Sequence, residues 1–315
     1  MWFKQLKLFK VKDLNTRSID NFKESLEKLS FKSCPPSMES SMGWVSPLDR
    51  IDGPLALKMN NCLIMCLQVE EKILPTTVIN HELNQKIKKI ELADDRKIRQ
   101  KEKLSLKDET IITLLPKAFT KFIKFYAYID LTTNYIFLNT NQNKRVDQFL
   151  SMIKKTIPDN IVDFDFKKVS PILTNWISNE TYPKEFYIKK ACLLQDTKYD
   201  KRVIRCREQN LFSSSIKALI KDGCEVKQLQ ISWNDRVDFI LNADDCSFAN
   251  ISFNDDIKTE AHDMDSETID EKFLAEFFIM SETIKKLVHD LEIFFSETIK
   301  FKESNLNIEA EESIL

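Results

Sequence analysis

Glycine is nearly absent, with three in 315 residues against a usual share of about 7%. Loops that cradle phosphates or dinucleotides need two or three glycines at fixed spacing, so P-loop and dinucleotide-binding chemistry are excluded, as is a G-x-S-x-G nucleophile elbow. Histidine is equally scarce. His81, His262 and His289 stand far apart, none in H-E-x-x-H or another metal spacing, and His262-Asp263-Met264-Asp265 reads as a solvated acidic loop. The cysteines, Cys34, Cys62, Cys66, Cys192, Cys206, Cys224 and Cys246, are odd in number and form no C-x-x-C. They read as reduced core thiols rather than a disulfide framework or a zinc site. No run of about 18 apolar residues is present, so no membrane helix is expected, and Met1-Trp2-Phe3-Lys4 lacks an apolar signal core, which points to the cytoplasm. Glu225-Val226-Lys227 has the E-x-K end of a nuclease core, but the nearby acid is Asp222, in the preceding turn. No catalytic residue, metal or cofactor is expected.

What is present is an ordinary globular composition, 43% hydrophobic and 30% charged, with a net charge of −2 that argues against a simple polybasic binder. The charge is unevenly placed. Residues 80–124 carry 12 Lys/Arg against 7 Asp/Glu, whereas 243–276 hold 11 acids against Lys258 and Lys272. Such asymmetry lets a basic region meet a polyanion while acids elsewhere keep the total near zero.

The pattern predicts an α+β protein of antiparallel sheets flanked by helices. Residues 2–12 alternate as a half-buried strand, Ile19, Phe22, Leu26 and Leu29 mark a short helix, and 42–45 and 62–67 read as strands. A hairpin at 126–130 and 135–139 is followed by a helix around 146–153, and Ser170-Pro171 reads as a cap and first helical position. Strands are expected at 187–194, 203–207, 225–232, 236–242 and 248–253, with a helix at 213–221 stopped by Gly223. Trp2, Trp44, Trp176 and Trp233 read as core. The expected regions are 1–75, a first αβ layer; 76–124, charged helices; 125–180, hairpin plus helix; 181–254, β-rich; 255–300, acidic connector and last helix; and 301–315, a frayed tail.

The organising stretch is 70–124. After Pro75, Ile79, Leu83, Ile87 and Ile90 form one narrow stripe, predicting a single helix over 76–103 that spans roughly 40 Å. Ser105 reads as the cap of a second helix, kinked at Pro116 and resuming over 117–124. So thin an apolar stripe predicts a helix that projects, and the lysines and arginines on it suit a phosphate backbone.

Six blocks in order, Met1 to Lys4, Met42 to Val45, Glu70-Glu71-Lys72-Ile73-Leu74-Pro75, Ser105 to Glu109, Leu114 to Phe119 and Glu276 to Met280, resemble the bacterial recombination-associated protein RdgC family over essentially the whole chain. The resemblance implies a non-catalytic protein that binds double- and single-stranded DNA with little sequence preference. It implies a ring-shaped homodimer of elongated or horseshoe subunits that encircles DNA and restrains RecA filament formation, placed at the nucleoid. Basic residues would line the hole and the acidic stretch 244–276 would face outward. Arg96 and Lys117 match basic positions implicated in DNA binding, with Lys97, Arg99 and Lys101 beside them. Phe119 matches an interface phenylalanine. Gln209 matches a polar position on a finger-like projection, where Glu208 departs from the family's lysine and Arg205 and Arg207 would compensate. The alternative reading is a protein-interaction scaffold with DNA binding lost.

Overall fold

A computed structural model describes residues 1–312 except 13–21, 51, 158–159, 167, 199–201 and 265–266, with the side chains of 160 and 297–312 also outside the description. Ile19, Asp265 and the expected tail beyond residue 312 therefore lie outside it. Twelve strands and eight helices are seen among the described residues.

Seven strands form one antiparallel sheet: β1 (Lys7–Lys12), β2 (Ser40–Val45), β3 (Ala56–Met59), β4 (Cys62–Lys72), β5 (Thr120–Asp130), β6 (Tyr135–Leu138) and β7 (Asn160–Asp163), in the order β2-β4-β5-β6-β1-β7 with β3 also on β4. The long β4–β5 pair, from Cys62 opposite Asp130 to Lys72 opposite Thr120, is its spine. Both faces of this sheet are covered, which is why β4 reads as a nearly continuous apolar run. Leu63, Met65, Leu67, Phe125, Ala127 and Ile129 face helices α1 (Phe22–Lys28) and α4 (Asn143–Thr156), while Ile64 and Tyr128 face the other way.

The second sheet has β8 (Phe186–Asp196), β9 (Val203–Cys206), β10 (Cys224–Trp233), β11 (Val237–Asn242) and β12 (Phe248–Phe253), ordered β12-β11-β10-β8-β9. Its strands alternate between buried and more exposed positions, with bulges in the β8–β10 and β11–β12 pairs shifting the phase, since only one face is buried. That face joins Ile64 and Tyr128 in a single core with α5 (Val169–Asn179) and α8 (Ile269–Glu312). A short bridge ties the sheets together: Leu6 and Phe248 exchange backbone hydrogen bonds of 2.9 and 2.8 Å. Trp44, Trp176 and Trp233 are core as expected, and Trp2 packs at a tilt against Phe253, ring centroids 4.9 Å apart. All seven cysteines are free and buried; burial pushes the Cys62 and Cys246 thiols up to about 11 and Cys66 to about 12.

Several expectations need correction. The helix expected over 76–103 is two, α2 (Thr76–Asp94) and α3 (Gln100–Leu114), because Asp95 adopts a left-handed φ of 47° and two acids at a helix C-terminus oppose its macrodipole. Ser105 consequently sits inside α3 rather than capping it. Beyond a single tight turn at Leu115–Lys117 the chain does not resume as a helix: residues 120–130 are strand β5, the Lys-Phe interleaving being a period-two pattern. Ser170 is likewise inside α5, whose cap is Lys168 with φ 53°, and its hydroxyl donates to Glu225 at 2.9 Å. The acidic connector contains helix α7 (Asp255–His262), and the last helix, expected to lie within 255–300, runs to Glu312. Helix α6 (Ser214–Lys221) ends before Gly223, whose φ of +104° only glycine adopts freely.

Candidate nucleic-acid interface

Helices α2 and α3 pack on each other as a hairpin arm standing on the end of the β4–β5 pair. Burial fades along it. Ile79 and Leu83 near the root are buried, Ile87 and Ile90 are half-buried, and Leu92 is 85% exposed. The narrow stripe thus closes the arm on itself at its root and leaves the tip in solvent.

The tip is the turn 95–99. Arg96 is not a free cation there: its guanidinium donates to both oxygens of Glu102 at 2.8 and 2.7 Å and lies 3.3 Å from Asp94. The backbone N–H of Ile98 donates to Glu91, which ties the turn to α2. Lys97, Arg99 and Lys101 are exposed and make no ion pair among the described residues. Lys117 and Phe119 lie at the other end, at the root. Nineteen residues of α2 at about 1.5 Å each put root and tip roughly 28 Å apart, so the structure does not bring Arg96 and Lys117 into one patch. Phe119 is 85% exposed, its carbonyl accepting from the Ile73 amide at 2.7 Å. Ile73, its backbone partner, is exposed beside it, while Phe122 lies on the opposite face of β5 against Phe31.

Arg207 and Gln209 belong to the second sheet. Arg205 on β9 and Arg207 just after it are exposed, without ion pairs among the described residues, and line a shallow cleft with Ala191, Leu193, Gln228 and Ile240. The Gln209 amide donates to the Lys190 carbonyl, and Glu208 between them takes a left-handed φ of 50°. Of the acids of 244–276, Asp244 pairs with Lys227, Asp245 with Lys7, Asp255 with Lys258, Glu260 with Arg236, Asp270 with Arg50 and Glu276 with the Met1 amino group. Glu225, the nuclease-like carboxylate, is occupied by Ser170 and lies 4.0 Å from Lys227. Among the described residues no three His, Cys, Asp or Glu side chains converge as metal ligands, and no helix is long and apolar enough to cross a membrane.

Sequence reasoning missed one charged cluster, Lys121, Lys144 and Arg145 around the buried Glu71. Two signals pointed to it. Glu71 interrupts an apolar strand, and Lys144-Arg145 open a helix where the macrodipole disfavours cations.

A family model described as "Putative exonuclease, RdgC" matches residues 1–298. Curated relatives named "Recombination-associated protein RdgC" from Yersinia pestis (strain Pestoides F) and Yersinia pseudotuberculosis (strain YPIII) are each 31% identical over 293 residues, covering 92% of this chain and 96% of theirs. The same name, identity and coverage hold for the protein of Yersinia enterocolitica. The chain belongs to the RdgC family.

Proposed function

We propose that this protein is a non-catalytic, sequence-independent DNA-binding protein that closes around DNA as a homodimer and restrains RecA filament formation. The observation that carries the reading is the arm. It ends in a solvent-exposed tip where Lys97, Arg99 and Lys101 make no ion pair among the described residues. Cations held out on a rigid element, with no groove-reading motif beside them, suit phosphate contacts, and phosphate contacts carry no sequence information. The second feature is Phe119, 85% exposed beside exposed Ile73. A large apolar side chain so placed is stabilised by burial against another surface, and a copy of the same chain supplies one. Lys117 at the root and Arg205, Arg207 and Gln209 on the second sheet would add further contacts to the duplex.

The test is light scattering and a salt titration. The wild-type chain is expected at twice its 37.0 kDa, and Phe119→Ser at the monomer mass. Duplex affinity should fall linearly with log salt, at about 0.9 per phosphate contact, and the slope should lessen for Lys97→Gln, Arg99→Gln and Lys101→Gln combined. A chain that binds no duplex at low salt would favour the scaffold reading. End-labelled duplex incubated with Mg2+ or Mn2+ should stay intact; shortening would establish the activity named in the family description.

A further inference from the structure

We propose that Lys121 and Lys144, standing over the Glu71–Arg145 pair, form a binding site for a phosphate group at the root of the arm. Glu71 is the penultimate residue of β4, and Lys121 lies directly opposite it on β5. Lys144 and Arg145 come from the first turn of α4, which covers the same face of the sheet. Arg145 donates to both Glu71 oxygens at 2.7 and 3.1 Å and to the Gln148 side chain at 2.8 Å. Lys144 approaches Glu71 to 2.8 Å and Lys121 to 3.2 Å.

Three cations thus share one carboxylate. The carboxylate is buried, and hydrogen bonds from Arg145, Lys144 and Lys121 hold it far below its ordinary range. It is therefore a fixed negative charge that organises the three cations without neutralising them. Arg145 is enclosed and its fork is used. The two lysines are not enclosed, with side chains 51% and 70% exposed. An ammonium carries three donors, so each lysine keeps donors for a second anion after serving Glu71. Both line an open cavity of about 430 Å3 with Ser40, Ile73, Leu74 and Pro75. Lys72 and Glu39, also on its wall, offset one another.

Two helix starts add to the same field. Neither α4, which begins beside Lys144, nor α2, which follows Pro75, has a side-chain cap or an acid in its first turn. Lysines at a helix N-terminus are held against the macrodipole, and an anion seated between them relieves that opposition. Two compact ammonium groups over an already occupied arginine fork favour a tetrahedral oxyanion over a carboxylate, which takes the planar fork best. The phosphate has two possible sources, a nucleic-acid backbone or a free phosphoanhydride. The site is separate from the tip cations and Lys117, and needs no ring.

Lysine acetylation of the full chain, read by mass spectrometry, tests it, with Lys154 at the exposed end of α4 as internal control. Inorganic pyrophosphate or an unphosphorylated-end duplex, matched in ionic strength by NaCl, is added before labelling. Several-fold protection of Lys121 and Lys144 but not Lys154 is expected. Protection by duplex alone assigns the backbone; protection by pyrophosphate, with or without duplex, assigns a site open to free phosphates. Protection by neither, or equal protection of Lys154, overturns the proposal. Pyrophosphate should also raise the melting temperature of the wild type and not of Lys121→Gln/Lys144→Gln; an equal rise in both overturns it as well.

Discussion

Arg96 and Glu102 face each other across the turn of the arm, with both terminal guanidinium nitrogens within 2.8 Å of the carboxylate oxygens. The pairing holds the guanidinium firmly in its charged form, chiefly through the hydrogen bonds to Glu102. It also means that the cation most readily picked out from the sequence is the one already engaged. Glu102→Gln should loosen it, leaving only the 3.3 Å contact with Asp94, and Glu102→Gln/Asp94→Asn should release it. Duplex affinity is expected to rise, with the log–log salt slope steepening by about 0.9. Arg96→Gln should weaken binding less than Lys97→Gln. Filter binding at two salt concentrations checks both, and a greater loss from Arg96→Gln would show that the fork opens on DNA.

Glu71 is expected to contribute to stability in a pH-dependent way. Its folded pKa lies well below the ordinary 4.5, through the hydrogen bonds from Arg145, Lys144 and Lys121. A depressed carboxylate contributes stability that is fully present above its unfolded pKa and is lost as pH falls toward the folded value. Glu71→Gln is expected to cost about 3 kcal/mol near neutrality, because it leaves enclosed Arg145 without its partner. That difference from wild type should shrink steadily below about pH 5. Urea unfolding at neutral pH and in acid measures it; a difference independent of pH would remove Glu71 from the account of acid stability.

Tyr128 is fully enclosed between the two sheets, stacked on Phe137 at 4.5 Å and edge-on to Phe277. Its hydroxyl has no hydrogen-bond partner among the described residues. Burying an unpaired hydroxyl costs about 1–3 kcal/mol, so Tyr128→Phe, which keeps the ring, should be neutral or raise stability by about 1 kcal/mol. A loss on thermal unfolding would reveal a partner for the hydroxyl.

Legibility in the sequence followed how many faces each element buries. The second sheet could be read strand by strand, since Val226, Leu229, Ile231 and Trp233 go inward while Gln228 and Gln230 stay out. The arm misled in two places. Asp94-Asp95 carries no glycine or proline to mark a helix end, yet Asp95 turns left-handed and Arg96 folds back on Glu102. Residues 117–124 fit a helical lysine face as well as a strand, and only pairing with Glu70 and Glu71 across the sheet decides for the strand. The Glu71 cluster left signals at single residues but could not be assembled, for the same reason: Lys121 and Lys144 are 23 residues apart by number, and they meet only once β5 is a strand.

Gly43, one of three glycines, gives the sharpest test of the fold. A Cβ there would lie 2.3 Å from the Phe31 Cα and 2.5 Å from its backbone N, and these are backbone atoms that cannot rotate away. The close approach exists because the chain after α1 runs beside β2: the Phe31 amide donates to the Trp44 carbonyl at 2.9 Å and the Trp44 amide to the Leu29 carbonyl at 3.0 Å. Trp44 in turn donates its ring N–H to the Thr156 hydroxyl at 3.0 Å and meets Phe149 edge-on, so it anchors α4 to the sheet. Gly43→Ala must therefore push Phe31 or β2 aside and carry Trp44 with it. A loss of about 3 kcal/mol or more is expected, in the range of strained or overpacked core changes, with altered tryptophan fluorescence in the folded state. Met42→Ala, one residue away and only half-buried, should cost clearly less. If Gly43→Ala unfolds in urea within about 0.5 kcal/mol of wild type, as a neutral surface change would, the chain after α1 does not lie against β2 in solution.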